Sequence, residues 1–583
     1  MSHETSLTTG HDRRKFLGYF SAMGLGGTLL PGVLWAKVAT GEDITPATIA
    51  GAEEIAGLTF SDEQRQQMVD GLKSQASQIE QLHAITLDNS VAPAIHFDPV
   101  PPGVTLAPPT KRPSVRSRVA ARAVPRDLGE LAFLPVTELA ELVRRRKVTS
   151  LQLTEMYLGR IKRYDPVLLT VITLTEERAL RQARAADEEI ARGKYRGPLH
   201  GIPWGAKDLL AVKGYRTTWG AGPYRDQVID ADATVVQRLD AAGAVLVAKL
   251  TLGELAQGDI WFGGTTKNPW NVAQGSSGSS AGPASAVAAG LVGFAIGTET
   301  LGSISSPATR NGVTGLRPTF GRVPRTGAMA LSWTMDKIGP IARSVEDCAL
   351  VLEAIHGPDT FDRTVKEIPF SWDARVKPTS LRVGYNKAAF DLPERGDKNQ
   401  LQHGTKRFDD AALDVLRALG VTLIPVELPD MPYAAMRLVL TAEGAAAFDV
   451  LTRSGRDKQL VQQTPRDWAN TFRTARFIPA VEYVNANRAR TLAMQKWHAL
   501  FETVDVIVTP TGVGSQLTAT NLTGHPAVIL PSGFRDTSDS DRTQVPVSLT
   551  FLGGLYQEAR LLAVAKAWQD ATDFHQRHPV MKG

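Results

Sequence analysis

The sequence predicts an α/β fold in which helices cover both faces of a β-sheet. Helical periodicity extends from residue 175 to residue 191 and stops before Gly193. A second helical segment, residues 233–242, leads directly into an apolar run at residues 244–248. Similar short apolar runs occur at residues 381–384 and 504–508. Short apolar strands that alternate with helices are typical of a sheet covered on both faces.

Length and composition exclude several classes of protein. The chain has 583 residues, of which 43% are hydrophobic and 21% charged, which excludes a wholly disordered chain and a multi-span membrane protein. The net charge of +5 is too small to indicate a polyanion-binding surface, so we predict no nucleic-acid partner. The single cysteine, Cys348, excludes an intramolecular disulfide and a multi-cysteine metal site. We expect a buried, inert thiol there, and neither a metal nor a cofactor.

The N-terminus has the pattern of an export signal. Paired arginines at Arg13 and Arg14 precede an uncharged stretch from Leu17 to Ala36. A basic segment followed by an apolar one is typical of export signals, and this pair resembles the twin-arginine type. We therefore assign residues 1–39 to a signal read by the export machinery and expect a periplasmic or otherwise exported protein. If the signal is not cleaved, the stretch is long enough to serve as a membrane tether.

Residues 40–126 are predicted to form a helical and Pro-rich extension. Ser61 and Gln64 have the spacing of a capping box at the start of a polar helix. Residues 99–113 are rich in proline, which predicts an extended linker or wrapping arm. The catalytic domain is predicted over residues 127–583, and Thr149 with Gln152 forms a second capping box near its start.

A Gly- and Ser-rich segment at residues 275–290 passes into an Ala-rich helical pattern and carries the strongest chemical signal. A phosphate-binding loop is one hypothesis, although Gly-Lys-Ser/Thr and G-x-G-x-x-G are both missing. A second is a nucleophile elbow, because Gly278 to Gly282 matches G-x-S-x-G with Ser280 at its centre. That hypothesis also needs a histidine, and the candidates His403, His525 and His575 stand in undistinctive contexts.

Three separated motifs, in order, resemble the amidase signature family. The first is Gly-Pro-Leu-His-Gly-Ile-Pro at 197–203, which leads to Lys207-Asp208. The second extends from Gly278-Ser279-Ser280 through Gly-Thr-Glu-Thr-Leu-Gly-Ser-Ile at 297–304 to Gly-Leu-Arg-Pro at 315–318. The third is Asn-Leu-Thr-Gly-His-Pro-Ala at 521–527. The resemblance covers about residue 127 to the end and implies a large mixed β-sheet flanked by helices.

The resemblance also implies the site residues. Lys207 matches the family's lysine, Ser279 the serine that follows a cis peptide bond, and Ser303 the nucleophilic serine. The backbone N–H groups of Thr300, Leu301, Gly302 and Ser303 match the oxyanion-binding donors, and Ser280 matches a substrate-binding position.

Elementary chemistry explains why these residue types suit amide cleavage. A serine hydroxyl is a poor nucleophile until a base removes its proton. Lysine is a base only when neutral, and at its ordinary pKa only roughly one molecule in two thousand is neutral at pH 7. Apolar neighbours predict burial, which disfavours the charged ammonium; they are Ile202, Trp204, Ala206, Leu209 and Leu210. Strand alternation predicts that Asp208 points to the face opposite Lys207.

The sequence departs from the commonest family pattern at three positions. Glu299, Leu301 and Ser305 stand where Asp, Gly and Arg are usual, and this variant resembles the branch that includes peptide amidases. Because the usual arginine is missing, we hypothesise that Arg310 is the charge partner of Glu299. We expect residues 429–479 to help shape the acyl pocket. We expect His200 to have a structural role in the turn that contains it.

The predicted function is that of an exported amidase that hydrolyses a small carboxylic amide, as a monomer or homodimer. One alternative is the glutaminase component of a tRNA-dependent amidotransferase, which shares these motifs. A Ser-His-Asp esterase centred on Ser280 and a non-catalytic binding protein on the same scaffold are further alternatives.

Overall fold

The computed structural model describes residues 43–56, 59–83, 89–91, 95–106, 110–120, 122–537 and 543–581. The predicted export signal at residues 1–39 lies outside these ranges. Within them, every helix is either too short or too polar to span a lipid bilayer.

Helices and short strands alternate along most of the described chain. The helices are α1 Pro46–Ala56, α2 Asp62–His83, α3 Val136–Arg144, α4 Ser150–Leu168, α5 Glu176–Ala191, α6 Thr234–Ala241, α7 Ala281–Ala288, α8 Ser305–Asn311, α9 Val345–Ile355, α10 Lys387–Asp391, α11 Lys406–Ala418, α12 Tyr433–Met436, α13 Leu438–Ala447, α14 Asp449–Arg453, α15 Trp468–Ala475, α16 Ala480–Thr503, α17 Gln516–Thr523 and α18 Glu558–Asp570. The strands are β1 Val171–Leu174, β2 Pro203–Lys207, β3 Val245–Leu250, β4 Ile260–Trp261, β5 Gly264–Thr265, β6 Lys267–Asn268, β7 Asn271–Gly275, β8 Phe294–Glu299, β9 Thr314–Arg317, β10 Lys337–Ala342, β11 Val383–Asn386, β12 Leu423–Val426, β13 Val506–Pro510, β14 Ala527–Asp536 and β15 Gln544–Gly553.

Eleven of the strands in the described residues form one mixed sheet, which confirms the predicted fold class. Their order is β1-β3-β2-β8-β10-β9-β14-β15-β13-β11-β12. Strand β2 pairs in parallel with β3 and with β8, and β11 pairs in parallel with β12 and β13, whereas the remaining pairs are antiparallel. Every residue of β2, β3, β8 and β10 is buried, as expected for strands that are covered on both faces.

The predicted elements lie close to the observed ones. Helix α5 begins one residue after the predicted start, and the run predicted at 504–508 begins as a strand at Val506. Asp505 interrupts the apolar run just before the strand, and its carboxylate accepts hydrogen bonds from the backbone N–H and the guanidinium of Arg382. Both capping boxes are confirmed, with Gln152 N–H donating to Thr149 Oγ1 at 3.0 Å and Gln64 N–H donating to Ser61 Oγ at 3.3 Å.

The chain divides into two compact units. Of the described residues, the smaller one comprises 43–56, 59–83 and 473–483. Its helices α1 and α2 have their own apolar cluster, and Glu53 pairs with Arg65 at 2.8 Å. The larger unit comprises the described residues within 89–472 and 484–581 and contains all eleven strands of the sheet. The Pro-rich arm from residue 89 onward therefore belongs to the same unit as the predicted catalytic domain.

The fold brings the first two sequence motifs to one edge of the sheet. Strands β2 and β8 are parallel neighbours, so their carboxyl ends lie side by side. Lys207 ends β2, and the turn between β8 and α8 carries residues 300–304. In open α/β sheets this carboxyl edge is where ligands bind.

Candidate active site

Lys207 lies at the centre of the candidate site and is completely buried. Its Nζ is 2.8 Å from Ser279 Oγ, 2.8 Å from Thr298 Oγ1 and 3.1 Å from Ser280 Oγ. Burial lowers the pKa of Lys207 to about 7, although the carboxylates of Asp336 and Glu299 act in the opposite direction. Near neutral pH a substantial fraction of this side chain is therefore a free amine that can accept a proton.

Ser279 follows a cis peptide bond, as the family resemblance implies. The bond between Gly278 and Ser279 is cis, and Ser279 is only 1% exposed. A side chain at position 278 would put its Cβ 1.8 Å from the carbonyl oxygen of Gly258, so the close approach of the two backbones requires glycine. This turn holds Ser279 Oγ against the Lys207 amine.

Ser303 lies next to the pair formed by Lys207 and Ser279. The N–H of Ser280 donates to the Ser303 carbonyl at 3.0 Å, which ties the two serine segments together. Within the described part of the chain no hydrogen bond joins the hydroxyls of Ser279 and Ser303. Hydrogen bonds of catalytic groups are often long before substrate binds. The structure therefore contains the Lys207–Ser279 link and places Ser303 beside it.

The turn at residues 300–303 has backbone N–H groups that are available to bind a ligand. The N–H groups of these four residues donate to no acceptor within the described residues. Gly302 has a φ of 91°, a conformation that glycine adopts readily. Thr300 Oγ1 donates to Asp336 Oδ1 at 2.6 Å and fixes one end of the turn. Unpaired N–H groups beside a serine hydroxyl can stabilise an oxyanion that forms on a carbonyl carbon attached to that serine.

The proposed partner of Glu299 is wrong: Arg317, not Arg310, pairs with it. Arg317 Nη1 lies 2.7 Å from Glu299 Oε1, and both side chains are fully buried. Arg310, near the end of α8, is exposed and bonds Gln274 at 3.3 Å. Arg317 is the partner because it lies on the buried strand β9 in the interior, whereas Arg310 lies on the solvent side of its helix.

Glu299 holds the end of the turn that contains Ser303, where α8 begins. Its carboxylate accepts from the N–H groups of Ile304 and Ser305 at 2.9 and 2.8 Å, and from Asn521 Nδ2 at 2.7 Å. Burial acts to raise the pKa of Glu299, but Arg317 and these hydrogen bonds prevail and lower it to about 2. The carboxylate is therefore ionised at every ordinary pH and works as a fixed structural anion.

Removing the positive partner of Glu299 is expected to destabilise the protein strongly. Arg317→Met keeps the volume but leaves a buried carboxylate without its charge partner, at a cost of about 3–5 kcal/mol in the free energy of unfolding. Arg310→Met, the matched control, is expected to change that free energy by less than about 0.5 kcal/mol. Urea unfolding of both variants measures the difference, and equal losses would contradict the assignment of Arg317.

Asp208 points away from the site, as strand alternation predicts. Its Oδ1 pairs with Lys249 Nζ at 2.6 Å, and both side chains are fully buried. Thr218 N–H donates to the other carboxylate oxygen at 2.8 Å. The negative charge next to Lys207 in the sequence is thus neutralised on the opposite face and is not a hydrogen-bond partner of the Lys207 amine.

The geometry does not support a nucleophile elbow at Ser280. Ser280 Oγ bonds both the N–H and the carbonyl of Thr298 at 3.1 Å, at the start of α7. His403 bonds Asp409 at 2.9 Å and His525 bonds Thr523 at 2.8 Å. No histidine in the described ranges bonds Ser279, Ser280 or Ser303.

Two other single-residue predictions are confirmed. His200 accepts a hydrogen bond from Arg196 N–H at 3.1 Å in the turn before β2, which is a structural role. Cys348 is buried in α9, and burial raises the pKa of its thiol well above the ordinary value. Among the described residues, no group of three or more His, Cys, Asp or Glu side chains is arranged to hold a metal ion.

Sequence reasoning missed three residues that support the site, namely Thr298, Asp336 and Asn521. Thr298 and Asn521 both lie within the motifs that carry the family resemblance, and strand alternation along β8 separates Thr298, which faces Lys207, from Glu299, which faces Arg317. Asp336 had no local signal, because its partner Thr300 lies 36 residues earlier in the chain.

Comparison with known proteins decides the family. The model of the amidase family matches residues 152–520. The chain belongs to the amidase signature family. The glutamyl-tRNA(Gln) amidotransferase A subunit of Methylococcus capsulatus is 37% identical in an alignment 491 residues long, which covers 76% of this chain and 98% of that protein. The corresponding protein of Moorella thermoacetica is 34% identical over 77% of this chain and 99% of its own length.

Solved structures agree on the fold of this amidase signature enzyme. The native peptide amidase of Stenotrophomonas maltophilia is 32% identical, with a TM-score of 0.68, and the match covers 78% of this chain and 100% of that one. A bacterial aryl acylamidase of the same family is 21% identical, with a TM-score of 0.65; the match covers 77% of this chain and 99% of that one and supports the fold alone.

Proposed function

We propose that this enzyme hydrolyses a carboxylic amide to an acid and ammonia or an amine, through an acyl-enzyme on Ser303. The observation that carries the proposal is the buried Lys207 amine, 2.8 Å from Ser279 Oγ and with its pKa lowered to about 7 by burial. A partly neutral amine beside a hydroxyl is a base that can draw a proton from a serine.

The chemistry proceeds in two halves. Lys207 accepts a proton from Ser279, Ser279 accepts one from Ser303, and Ser303 Oγ attacks the amide carbon. The N–H groups of residues 300–303 stabilise the oxyanion, the C–N bond breaks, and the proton held on Lys207 returns through Ser279 to the leaving nitrogen. Water then attacks the ester by the same proton path, which releases the acid and restores Ser303.

Glutamine hydrolysis is the second candidate function, and the curated relatives favour it. Those relatives are components of glutamyl-tRNA(Gln) amidotransferases, and the alignment spans nearly their whole length. The peptide amidase structure favours the amide of a peptide instead. Both functions use the same proton path, so they differ in the acyl group and in whether a partner protein is required.

An amide panel separates these functions. The purified chain alone is assayed with L-glutamine, a peptide C-terminal amide, an aryl acylamide and an aliphatic amide, beside Lys207→Ala. Turnover of one of the last three amides by the isolated chain supports a free-standing amidase. Hydrolysis of glutamine alone supports the amidotransferase-like function. No turnover of any amide by the wild type would overturn the proposal.

Export of the enzyme is part of the proposal and rests on Arg13, Arg14 and the uncharged stretch after them. Twin-arginine export depends on the arginine pair, so Arg13→Lys with Arg14→Lys is expected to keep the protein in the cytoplasm. Cell fractionation with an activity assay compares this variant with the wild type. Equal distribution of both proteins would contradict export by this route.

A further inference from the structure

The N-terminal arm, defined here as residues 89–120 where described, belongs to the same unit as the site. It lies outside residues 152–520, which the family model matches. The arm pairs with a distant part of the chain, because Val115 N–H donates to the Trp372 carbonyl at 2.7 Å. Asp98 pairs with Lys366 at 2.6 Å on the surface. The arm is thus an addition to the matched core and is attached at several points.

Asn89, at the beginning of the arm, is hydrogen-bonded to Ala330 in a loop near the site and, at 3.5 Å, to the Ala447 carbonyl at the end of α13. Ala330 N–H donates to Asn89 Oδ1 at 2.8 Å, and Asn89 Nδ2 donates to the Ala330 carbonyl at 2.8 Å. The Asn89 side chain thus pairs with both the N–H and the carbonyl of Ala330, as the backbone of a neighbouring β-strand would. The half-buried Asn89 side chain therefore fixes the position of this loop from the outside.

The loop held by Asn89 continues directly into the group that holds the oxyanion turn. The N–H groups of Leu331 and Ser332 donate to Asp336 Oδ2 at 2.8 and 2.9 Å. The other carboxylate oxygen of Asp336 accepts from Thr300 Oγ1 at 2.6 Å. Three hydrogen-bonded contacts, with the peptide bond from Ala330 to Leu331 between the first two, thus link Asn89 to the turn that contains Ser303.

The same loop also contacts the turn that follows β2, the strand that ends in the base Lys207. Met329 N–H donates to the Leu209 carbonyl at 3.0 Å, two residues after Lys207. A displacement of the loop would therefore change the turn of residues 300–303 relative to Lys207. Displacements of about 1 Å in an active site can cost about 10²-fold in rate.

Phe97 attaches the arm at a second point near the site. The guanidinium of Arg490 lies 3.5 Å from the centre of the Phe97 ring. Arg490 also donates to the Thr334 carbonyl at 2.7 Å and to the Leu522 carbonyl. Those two acceptors lie within two residues of Asp336 and Asn521 in the sequence. The contact between Phe97 and Arg490 therefore connects the arm to segments that support the site.

We infer that the N-terminal arm is a built-in part of the active site, with Asn89 as a positioning residue that sets the oxyanion turn through Ala330 and Asp336. This inference rests on the proposed function, since it assigns the arm a role in the chemistry at Ser303. Asn89 touches neither substrate nor reacting atoms in this scheme. Its effect is on the placement of donors that act in the transition state.

Asn89→Ala tests the inference, with Asp98→Asn as the matched control in the same arm. The expected result is a 10-fold to 100-fold loss of kcat with KM within about twofold of the wild-type value, because misplaced donors weaken only the transition state. Asp98→Asn is expected to match the wild type. Unchanged kcat in Asn89→Ala, or equal losses in both variants, would overturn the inference.

Hydrogen exchange tests the same link without reference to turnover. In Asn89→Ala, two peptides are expected to exchange faster than in the wild type: one that contains residues 328–336 and one that contains residues 304–306, whose N–H groups are hydrogen-bonded to Glu299 and Gly302. Asp98→Asn is expected to leave both unchanged. Faster exchange of the first peptide alone would show that the loop does not transmit to the turn, and the inference would fail. Because exchange needs no substrate, this outcome is separate from failure of the proposed amide hydrolysis.

Discussion

Ser303→Ala is expected to lower kcat/KM for the amide substrate by on the order of 10⁶, because loss of a serine nucleophile removes the covalent route altogether. Residual activity would come from binding and from the N–H groups of the turn. Ser280→Ala is expected to cost far less, about 10-fold to 100-fold, because Ser280 Oγ only positions Lys207 and the backbone of Thr298. Steady-state kinetics on the two variants measures the difference.

Covalent labelling provides an independent control for this prediction. A fluorophosphonate that reacts with activated serines is expected to modify the wild type at Ser303, as read by mass spectrometry of the digested protein, and to leave Ser303→Ala unmodified. Loss of activity and of labelling in Ser280→Ala, with both retained in Ser303→Ala, would show that Ser280 is the nucleophile and would reverse the assignment.

Lys207→Ala is expected to lower kcat/KM by about 10²–10⁴, the usual contribution of a general base. The loss should appear in kcat, since the Lys207 amine contacts protein hydroxyls within the site. Lys213→Ala is the matched control, because Lys213 is exposed and pairs with Asp230 at 3.2 Å on a nearby loop. Equal activity of Lys207→Ala and the wild type would remove the proposed base.

Local motifs were sufficient to predict the core of the candidate site. Lys207, Ser279 and Ser303 come from segments whose residue order resembles one family, and each segment is short enough to be recognised by itself. The apolar residues around Lys207 predicted its burial, and the structure confirms it. The alternating strands and helices likewise predicted the class of fold, because the period of the hydrophobic pattern is a local property.

The supporting contacts could not be predicted in the same way, because they depend on pairings between distant segments. Arg310 is closer to Glu299 in sequence than Arg317 is, yet strand β9 carries Arg317 into the interior. Asn89 and Ala330 are 241 residues apart and meet only through the packing of the arm. Local patterns in one sequence do not show which distant residues will come into contact.

The pH dependence of kcat/KM tests the central claim, an uncharged amine at Lys207, most directly. Burial lowers the pKa of Lys207 to about 7, so the reactive form increases as pH rises through this value and is lost below it. We expect kcat/KM of the wild type to rise about tenfold per pH unit below about pH 7 and to level off above it. The residual activity of Lys207→Ala should lack this step. A wild-type profile that still rises toward about pH 10, the ordinary range of a lysine, or the same step near pH 7 in Lys207→Ala, would contradict a neutral lysine as the base.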